Sequence, residues 1–258
     1  MNQTQSHSAP APGVSRAALK LAVEAIEKFE LIQPGDRIAV GMSGGKDSAL
    51  LYLVLASVQQ RSDYDFSLHP IHLDQHQPGF DQETFQEQLR LLGADLEVIS
   101  EDTHSVVQAN LKPGQIPCAI CGRMRRGILN RFCMERGYNK LALGHHLDDA
   151  IETFFLNLLF GRRMDPLKPA TPASDVDVTT IRPLILVEER KVLGWAVQEE
   201  IPVVACPVCD TVPESRRRDL KQLLAQFSAM QQDVHASMRA ALYTGADGMT
   251  LIDRVDSY

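Results

Sequence analysis

Six consecutive residues, Ser43-Gly44-Gly45-Lys46-Asp47-Ser48, have the composition of a phosphate cradle. Glycine lets a backbone approach an anion with no Cβ in the way. Lys46 adds a point charge, and Ser43 and Ser48 add hydroxyl donors. The run before them, residues 37–42 (RIAVGM), suits a buried strand, and the run from Asp47 onward (SALLYLVLASVQQR) suits a mostly apolar helix. A strand feeding a glycine turn and a helix start aims unpaired N–H groups and the positive end of the helix dipole at one point. The loop is not a Walker A sequence, in which Ser or Thr follows the lysine directly, because Asp47 intervenes. The plain alternative is a tight turn whose Lys46 and Asp47 face solvent.

Three further groups have chemical potential. Gly144-His145-His146-Leu147-Asp148-Asp149 sets two carboxylates beside two imidazoles, suited to Mg²⁺ or proton work near phosphates. The alternative for either aspartate alone is a helix N-cap. Cys118 and Cys121 form one C-x-x-C pair, and Cys206 and Cys209 form another. That spacing brings two thiolates to one metal, and it fits four-cysteine zinc, an iron–sulfur cluster or a redox dithiol, with zinc first on spacing alone. Cys133 reads as a small buried hydrophobe. Finally, Arg123, Arg125, Arg126, Arg131 and Arg136 gather around a single acid, Glu135, and Arg216, Arg217 and Arg218 follow the second cysteine pair. Such clusters supply phosphate contacts to RNA, although a charge run is more often a solvated helix face.

The elements that must carry these groups alternate along the chain. Helical spacing covers residues 15–32, with Ser15 as N-cap, and a turn follows at 33–36. After the 37–42 strand and its helix come a strand at 66–74, a helix at 80–93 and a strand at 95–100. A helix at 118–136, a strand at 139–146 and a helix at 148–161 follow. The Pro-rich loop MDPLKPATPASD leads to TTIRPLI, a helix near 188–200, a strand at 202–205 and a long helix over roughly 214–241. Alternating strands and helices predict an α/β fold, a parallel sheet with helices on both faces. Ligands in such sheets bind beyond the carboxyl ends of the strands, where the glycine loop, residues 72–74 and residues 144–149 all fall.

The bulk numbers are those of an ordinary globular protein: 258 residues, 44% hydrophobic and 23% charged. A net charge of −7 excludes a surface that is basic throughout, so a polyanion needs a local basic patch. No apolar run is long enough to span a bilayer. Residues 1–14 carry no secretory signal and read as a disordered tail. These features predict a cytoplasmic protein whose five cysteines are ligands or catalysts rather than disulfides.

The SGGKDS loop resembles the PP-loop motif of the ATP pyrophosphatases. That resemblance implies a Rossmann-like fold of the adenine nucleotide alpha hydrolase type, with ATP bound on residues 43–48 and cleaved between its α and β phosphates. It implies ATP contacts from Ser43, Gly44, Gly45, Lys46, Asp47, Ser48, His72, Asp74, Gly144 and His145. It makes Lys46, Asp47 and Asp149 the catalytic residues and Mg²⁺ a cofactor. The larger pattern is more specific. IPCAICGRMRRGILNRF, LALGHHLDDAIETFFLNLLFGRRM, TTIRPLI and IPVVACPVCD, in that order, are similar to the tRNA 2-thiocytidine synthetases, the TtcA family, over most of residues 15–230. The resemblance implies a [4Fe–4S] cluster on Cys118, Cys121 and one cysteine of the second pair, taken as Cys206. It implies adenylation of a cytidine at position 32 of the anticodon loop, then replacement of its C2 oxygen by sulfur. The implied partners are tRNA, held in part by Arg123, Arg125 and Arg126, a cysteine desulfurase as sulfur source, and a second copy of the chain in a homodimer. The division that follows is a tail at 1–14, a PP-loop domain at 15–212 and a helical C-terminal extension at 213–258. The segment GADGMTLIDRVDSY and the RRMDPLKPATPASD loop depart from the family pattern. Rival readings are a 2-thiouridine or lysidine synthetase, or a non-enzymatic protein that binds ATP or metal on the same scaffold.

Overall fold

Strand β1 (Arg37–Gly41) occupies the middle of the sheet because its residues 38–40 are apolar on both faces and fully buried. The computed structural model describes residues 12–62, 65–111, 117–204, 216–230 and 233–244. The other strands are β2 (Ser67–Asp74), β3 (Glu97–Ser100), β4 (Lys140–Ala142), β5 (Ala170–Pro172) and β6 (Thr179–Ile181). They form one sheet in the order β3-β2-β1-β4-β6-β5. β1 pairs in parallel with both β2 and β4, so the chain reverses its direction of travel across the sheet at β1. The loop after β1 therefore opens at the switch point, the place where open α/β sheets hold their ligands.

Helices α1 (Arg16–Lys28), α2 (Lys46–Arg61), α3 (Gln82–Leu92) and α7 (Glu189–Gln198) bury against Ile38, Val40, Ala142 and Ile181 on one face. On the other face α5 (Pro117–Arg136) sets Ile128, Leu129 and Cys133 against Ala39, Ile71 and Leu141. Alternate residues of β1 thus serve opposite cores, as strand periodicity requires. A third cluster joins α6 (Leu147–Phe160) to Leu242 and Tyr243 in the π-helical turn Ala240–Thr244. Cys133 is fully buried, and burial pushes its thiol up to about 12, as suits a core side chain rather than a ligand.

Several elements differ from the sequence reading. The sheet is not wholly parallel: β5 runs antiparallel to β6, as an edge hairpin closed through the 173–178 turn. Helix α4 (Thr103–Asn110), capped by Asp102, carries too weak a period to be read from its residues. The strand expected at 139–146 stops at Ala142, because Gly144 and the His146 cap belong to the start of α6. Residues 202–204 are not a strand: Val204 N donates to Gly44 O instead of to a sheet neighbour. The long helix near 214–241 is two, α8 (Arg216–Met230) and α9 (Val234–Arg239), with Asp233 in the left-handed region at φ 66° and capping α9. At the other end Gly13 is tied down, since its carbonyl accepts from Trp195 Nε1 at 2.6 Å and its N–H donates to Glu199. Cys206, Cys209, the segment 245–258 and residues 1–11 lie outside the described residues, as does the side chain of Cys118.

Candidate active site

Gly44 takes φ +82°, a conformation that favours glycine, and a Cβ there would meet Val204 Cβ at 2.9 Å. Its carbonyl accepts from Val204 N at 3.0 Å and from the buried Gln88 Nε2 at 2.8 Å. The loop is thus clamped from α3 and from the segment that runs toward the second cysteine pair. Ser48 Oγ donates to Gly45 O and accepts from Ser43 N, closing the turn on itself. Gly45 is the N-cap of α2 and supplies no side-chain cap, so the first-turn N–H groups present themselves to an incoming anion. The six predicted loop residues form one cradle.

The second wall is the start of α6. Gly144 packs on the first turn of α2: a Cβ there would meet Asp47 C and O at 2.9 Å and Ser48 N at 3.1 Å. Glycine at 144 lets the two backbones touch, which is a structural reason for its presence beside the loop. His146, rather than Asp148 or Asp149, is the N-cap of α6, and Asp149 completes a reciprocal box with it from the third helical position. His146 Nε2 also lies 3.6 Å from Asp47 Oδ1. His145 has its Nδ1 buried without a hydrogen-bond partner, and burial drives its pKa down to about 4, with Asp149 opposing and Arg182, Arg125 and Arg217 assisting. The ring is neutral at physiological pH and available as a hydrogen-bonding group. Asp148 is occupied: Oδ2 accepts the N–H of Glu189 at 2.6 Å, and Oδ1 faces His235 Nε2 at 2.8 Å.

Lys46 stands at the centre. Its Nζ lies 3.2 Å from Asp47 Oδ2 and 3.1 Å from Glu189 Oε1. Burial works against its charge, but the two carboxylates hold its pKa above the ordinary lysine value. Glu189 escaped the sequence reading, as did Glu152, a carboxylate only 1% exposed on α6. Their signal was visible only in part: Glu188-Glu189 end an apolar run, and Glu152 interrupts an apolar helix. Arg217 and Lys221 of α8 also converge here, so Arg217 faces the acids rather than outward as the RNA reading of the 216–218 cluster expected.

The remaining predicted residues sit around the same end of the sheet. His72 is 8% exposed, its Nδ1 is 2.8 Å from Met42 O, and its ring packs on Phe80 and Phe85. It braces the entry to the loop. Asp74 accepts the N–H of His76. The next residue, Gln75, accepts from Cys121 Sγ at 3.2 Å, which places the first turn of α5 against the carboxyl end of β2. Arg123, Arg125 and Arg126 are exposed on α5. Arg131 and Arg136, by contrast, pair with Glu101 and Glu97 on the neighbouring loop and strand. Among the described residues no three His, Cys, Asp or Glu side chains gather closely enough to hold a metal ion. No helix among them is long and apolar enough to cross a membrane.

Residues 16–207 match the PP-loop domain family. The tRNA-cytidine(32) 2-sulfurtransferase of Anaeromyxobacter dehalogenans is 38% identical over 229 residues, covering 89% of this chain and 79% of that protein. Its namesake in Vibrio vulnificus is 39% identical over 201 residues, 78% of this chain and 65% of that protein. Among solved structures, the U34-tRNA thiolase NcsA of Methanococcus maripaludis, with its [4Fe–4S] cluster, aligns at a TM-score of 0.67 and 22% identity, covering 85% of this chain and 75% of that one. That likeness speaks for the fold. The cradle on β1 and α2, its wall on α6 and the two sequence relatives converge on one assignment: the chain belongs to the tRNA-cytidine(32) 2-sulfurtransferase family of PP-loop proteins.

Proposed function

We propose that this protein is an ATP-dependent tRNA sulfurtransferase that converts a cytidine, position 32 of the anticodon loop, to 2-thiocytidine. The observation that carries the reading is the cradle itself: an uncapped helix N-terminus, Gly44 at positive φ and Lys46 between Asp47 and Glu189, in a chain 38% identical to a protein of that name. ATP lies on the loop with its phosphates at the start of α2. The C2 oxygen of the base attacks the α phosphorus, the α–β anhydride bond breaks, and pyrophosphate leaves. Sulfide then replaces the oxygen at C2, and AMP departs carrying that oxygen. Lys46 and the α2 N–H groups offset charge on the phosphates. Asp47 and Asp149 are the carboxylates that would hold Mg²⁺, which would supply further charge neutralisation at the phosphates, in keeping with its preference for oxygen ligands.

Donor chemistry fits a [4Fe–4S] cluster on Cys118, Cys121 and Cys206. Positions 118 and 121 are one turn apart at the start of α5, and Cys121 abuts the carboxyl end of β2. Val204, two residues before Cys206, is hydrogen-bonded to Gly44 of the cradle. When bound, such a cluster would supply an iron site able to bind sulfide for delivery to the base. The chain's own part is to hold the thiolates near the base and the base near ATP. Arg123, Arg125 and Arg126, exposed with no carboxylate partner among the described residues, contact RNA phosphates. The target base leaves its stack to reach the site.

On this reading residues 15–212 are the catalytic domain and 213–258 its helical extension, a cysteine desulfurase furnishes sulfur in the cytoplasm, and the enzyme is a homodimer. The exposed Leu159 at the end of α6 and Met164 in the loop after it support the last point. The test is mass spectrometry of nucleosides from total tRNA of the parent strain and of a deletion strain. 2-Thiocytidine is expected to vanish on deletion, to return with the wild-type gene, and not to return with Cys118→Ala. Its persistence in the deletion strain refutes the reading.

A further inference from the structure

Asp47 and Glu189 pair with Lys46, and Asp148, Asp149 and Glu152 join the same acidic cluster through His146, the Glu189 N–H, Arg217 and Lys221. An ATP triphosphate cannot settle beside so many anions with Lys46 as its sole counter-charge, because Lys46 already serves Asp47 and Glu189. The balance comes from α8. Lys221 Nζ lies 3.0 Å from Glu189 Oε2 and 3.6 Å from Glu152 Oε1. Arg217 Nε lies 3.2 Å from Glu152 Oε2, and its Nη1 lies 3.5 Å from Asp149 Oδ1. Lys46 and Lys221 therefore sit on the two oxygens of one carboxylate, with the cradle on the far side of Lys46. Both α8 side chains are about half exposed, at 49% and 50%, so each keeps room to swing.

We propose that Arg217 and Lys221 form a second phosphate clamp, binding the β and γ phosphates of ATP and stabilising the pyrophosphate that leaves on adenylation. In the nucleotide-free protein they neutralise Glu152 and Glu189. When ATP enters, the two cations turn from the carboxylates to the phosphates, and Mg²⁺ held by Asp47 and Asp149 would offset the carboxylate charge they leave. Of these pairs only Lys221–Glu189 is partly exposed on both sides, at 50% and 31%, and such a pair contributes about 0–1 kcal/mol, whereas Glu152, 1% exposed, draws its counter-charge from α8. Meanwhile neither oxygen of the buried Glu152 has a hydrogen-bond partner, so these pairs are loose enough to be exchanged for better ones. The pyrophosphate leaving group gains charge in the transition state, where positioned cations act most strongly.

The proposal rests on the adenylating reading of the site, and its test separates the two. Magnesium pyrophosphate and, separately, AMP are titrated into the full-length wild type, Arg217→Gln, Lys221→Met and the double variant, with calorimetric detection. Each single variant is expected to weaken pyrophosphate about tenfold, the double variant further, and AMP within twofold of wild type. Arg217→Lys and Lys221→Arg keep the charge and are expected to recover most of the affinity. Pyrophosphate affinity unchanged in the double variant overturns the clamp, and so does a wild type that binds no magnesium pyrophosphate. A parallel loss of AMP and pyrophosphate in the charge-keeping variants overturns it too, in favour of a purely structural role. Loss of the tRNA reading shows instead as unaltered 2-thiocytidine in the deletion strain, with pyrophosphate binding intact.

Discussion

Two glycines in this protein, Gly44 and Gly144, differ in kind from a flexible linker residue. Gly144 has no unusual backbone angle to protect, yet a Cβ there would press on the carbonyl of Asp47 at 2.9 Å and on Ser48 N at 3.1 Å. Both are backbone atoms of the helix that aims the cradle, so the contact cannot be relieved by turning a side chain. Gly144→Ala is expected to cost about 1–3 kcal/mol of stability, the usual cost of overpacking, and to weaken ATP more than the stability loss explains. Thermal melting with and without ATP measures both. If ATP raises the melting temperature of the variant as much as that of the wild type, the glycine does not shape the cradle. At this scale the sequence was informative for residues whose type is their function. Lys46, Asp47 and the glycines announce an anion site through local spacing. Glu152, Glu189, Arg217 and Lys221 do not, because each becomes part of the site only through packing of α6, α7 and α8, and no local pattern records that.

Elements meet through a few polar ties, and the tie among α6, α7 and α9 is Asp148. One oxygen takes the N–H that begins α7, and the other pairs with His235 of α9. That hydrogen bond holds the His235 pKa above its ordinary 6.5, against burial, with Glu188 assisting and Arg190 opposing. A raised folded-state pKa means that the folded protein binds the proton more tightly than the unfolded chain. The pair's contribution is then complete below the unfolded value and is lost as pH rises through the folded one. Denaturation in urea from pH 6 to pH 9 is expected to show the wild type losing about 1 kcal/mol relative to His235→Ala, whose profile lacks this step. Parallel profiles for the two proteins would remove His235 from the docking of α9. Most elements were legible from apolar period and turns, including β1, α2 and α5. The missed ones have physical reasons. α4 is short and weakly amphipathic, β5 holds a proline at the sheet edge, and residues 202–204 look like a strand but give a hydrogen bond to the glycine loop.

The whole molecule is acidic, at −7, yet its proposed substrate is a polyanion. Charge placement reconciles the two. The carboxylates of the candidate ATP site are answered by Lys46, Arg217 and Lys221, while Arg131 and Arg136 are engaged by Glu101 and Glu97. Among the described residues, the α5 arginines left without a carboxylate are Arg123, Arg125 and Arg126, on the same helix whose first turn holds Cys121 beside Gln75. On the proposed reading, RNA drawn to these guanidiniums is brought to the end of the sheet that carries the proposed ATP site. Removing one cation from a phosphate lowers the salt dependence of binding by roughly one in the slope of log affinity against log salt. Changing Arg123, Arg125 and Arg126 together to glutamine is therefore expected to weaken tRNA binding at low salt and to flatten that slope by roughly two to three. Filter binding across a salt series reads it directly. A slope equal to that of the wild type would place the RNA on another face, and the bearing of α5 on substrate choice would then rest on its cysteines alone.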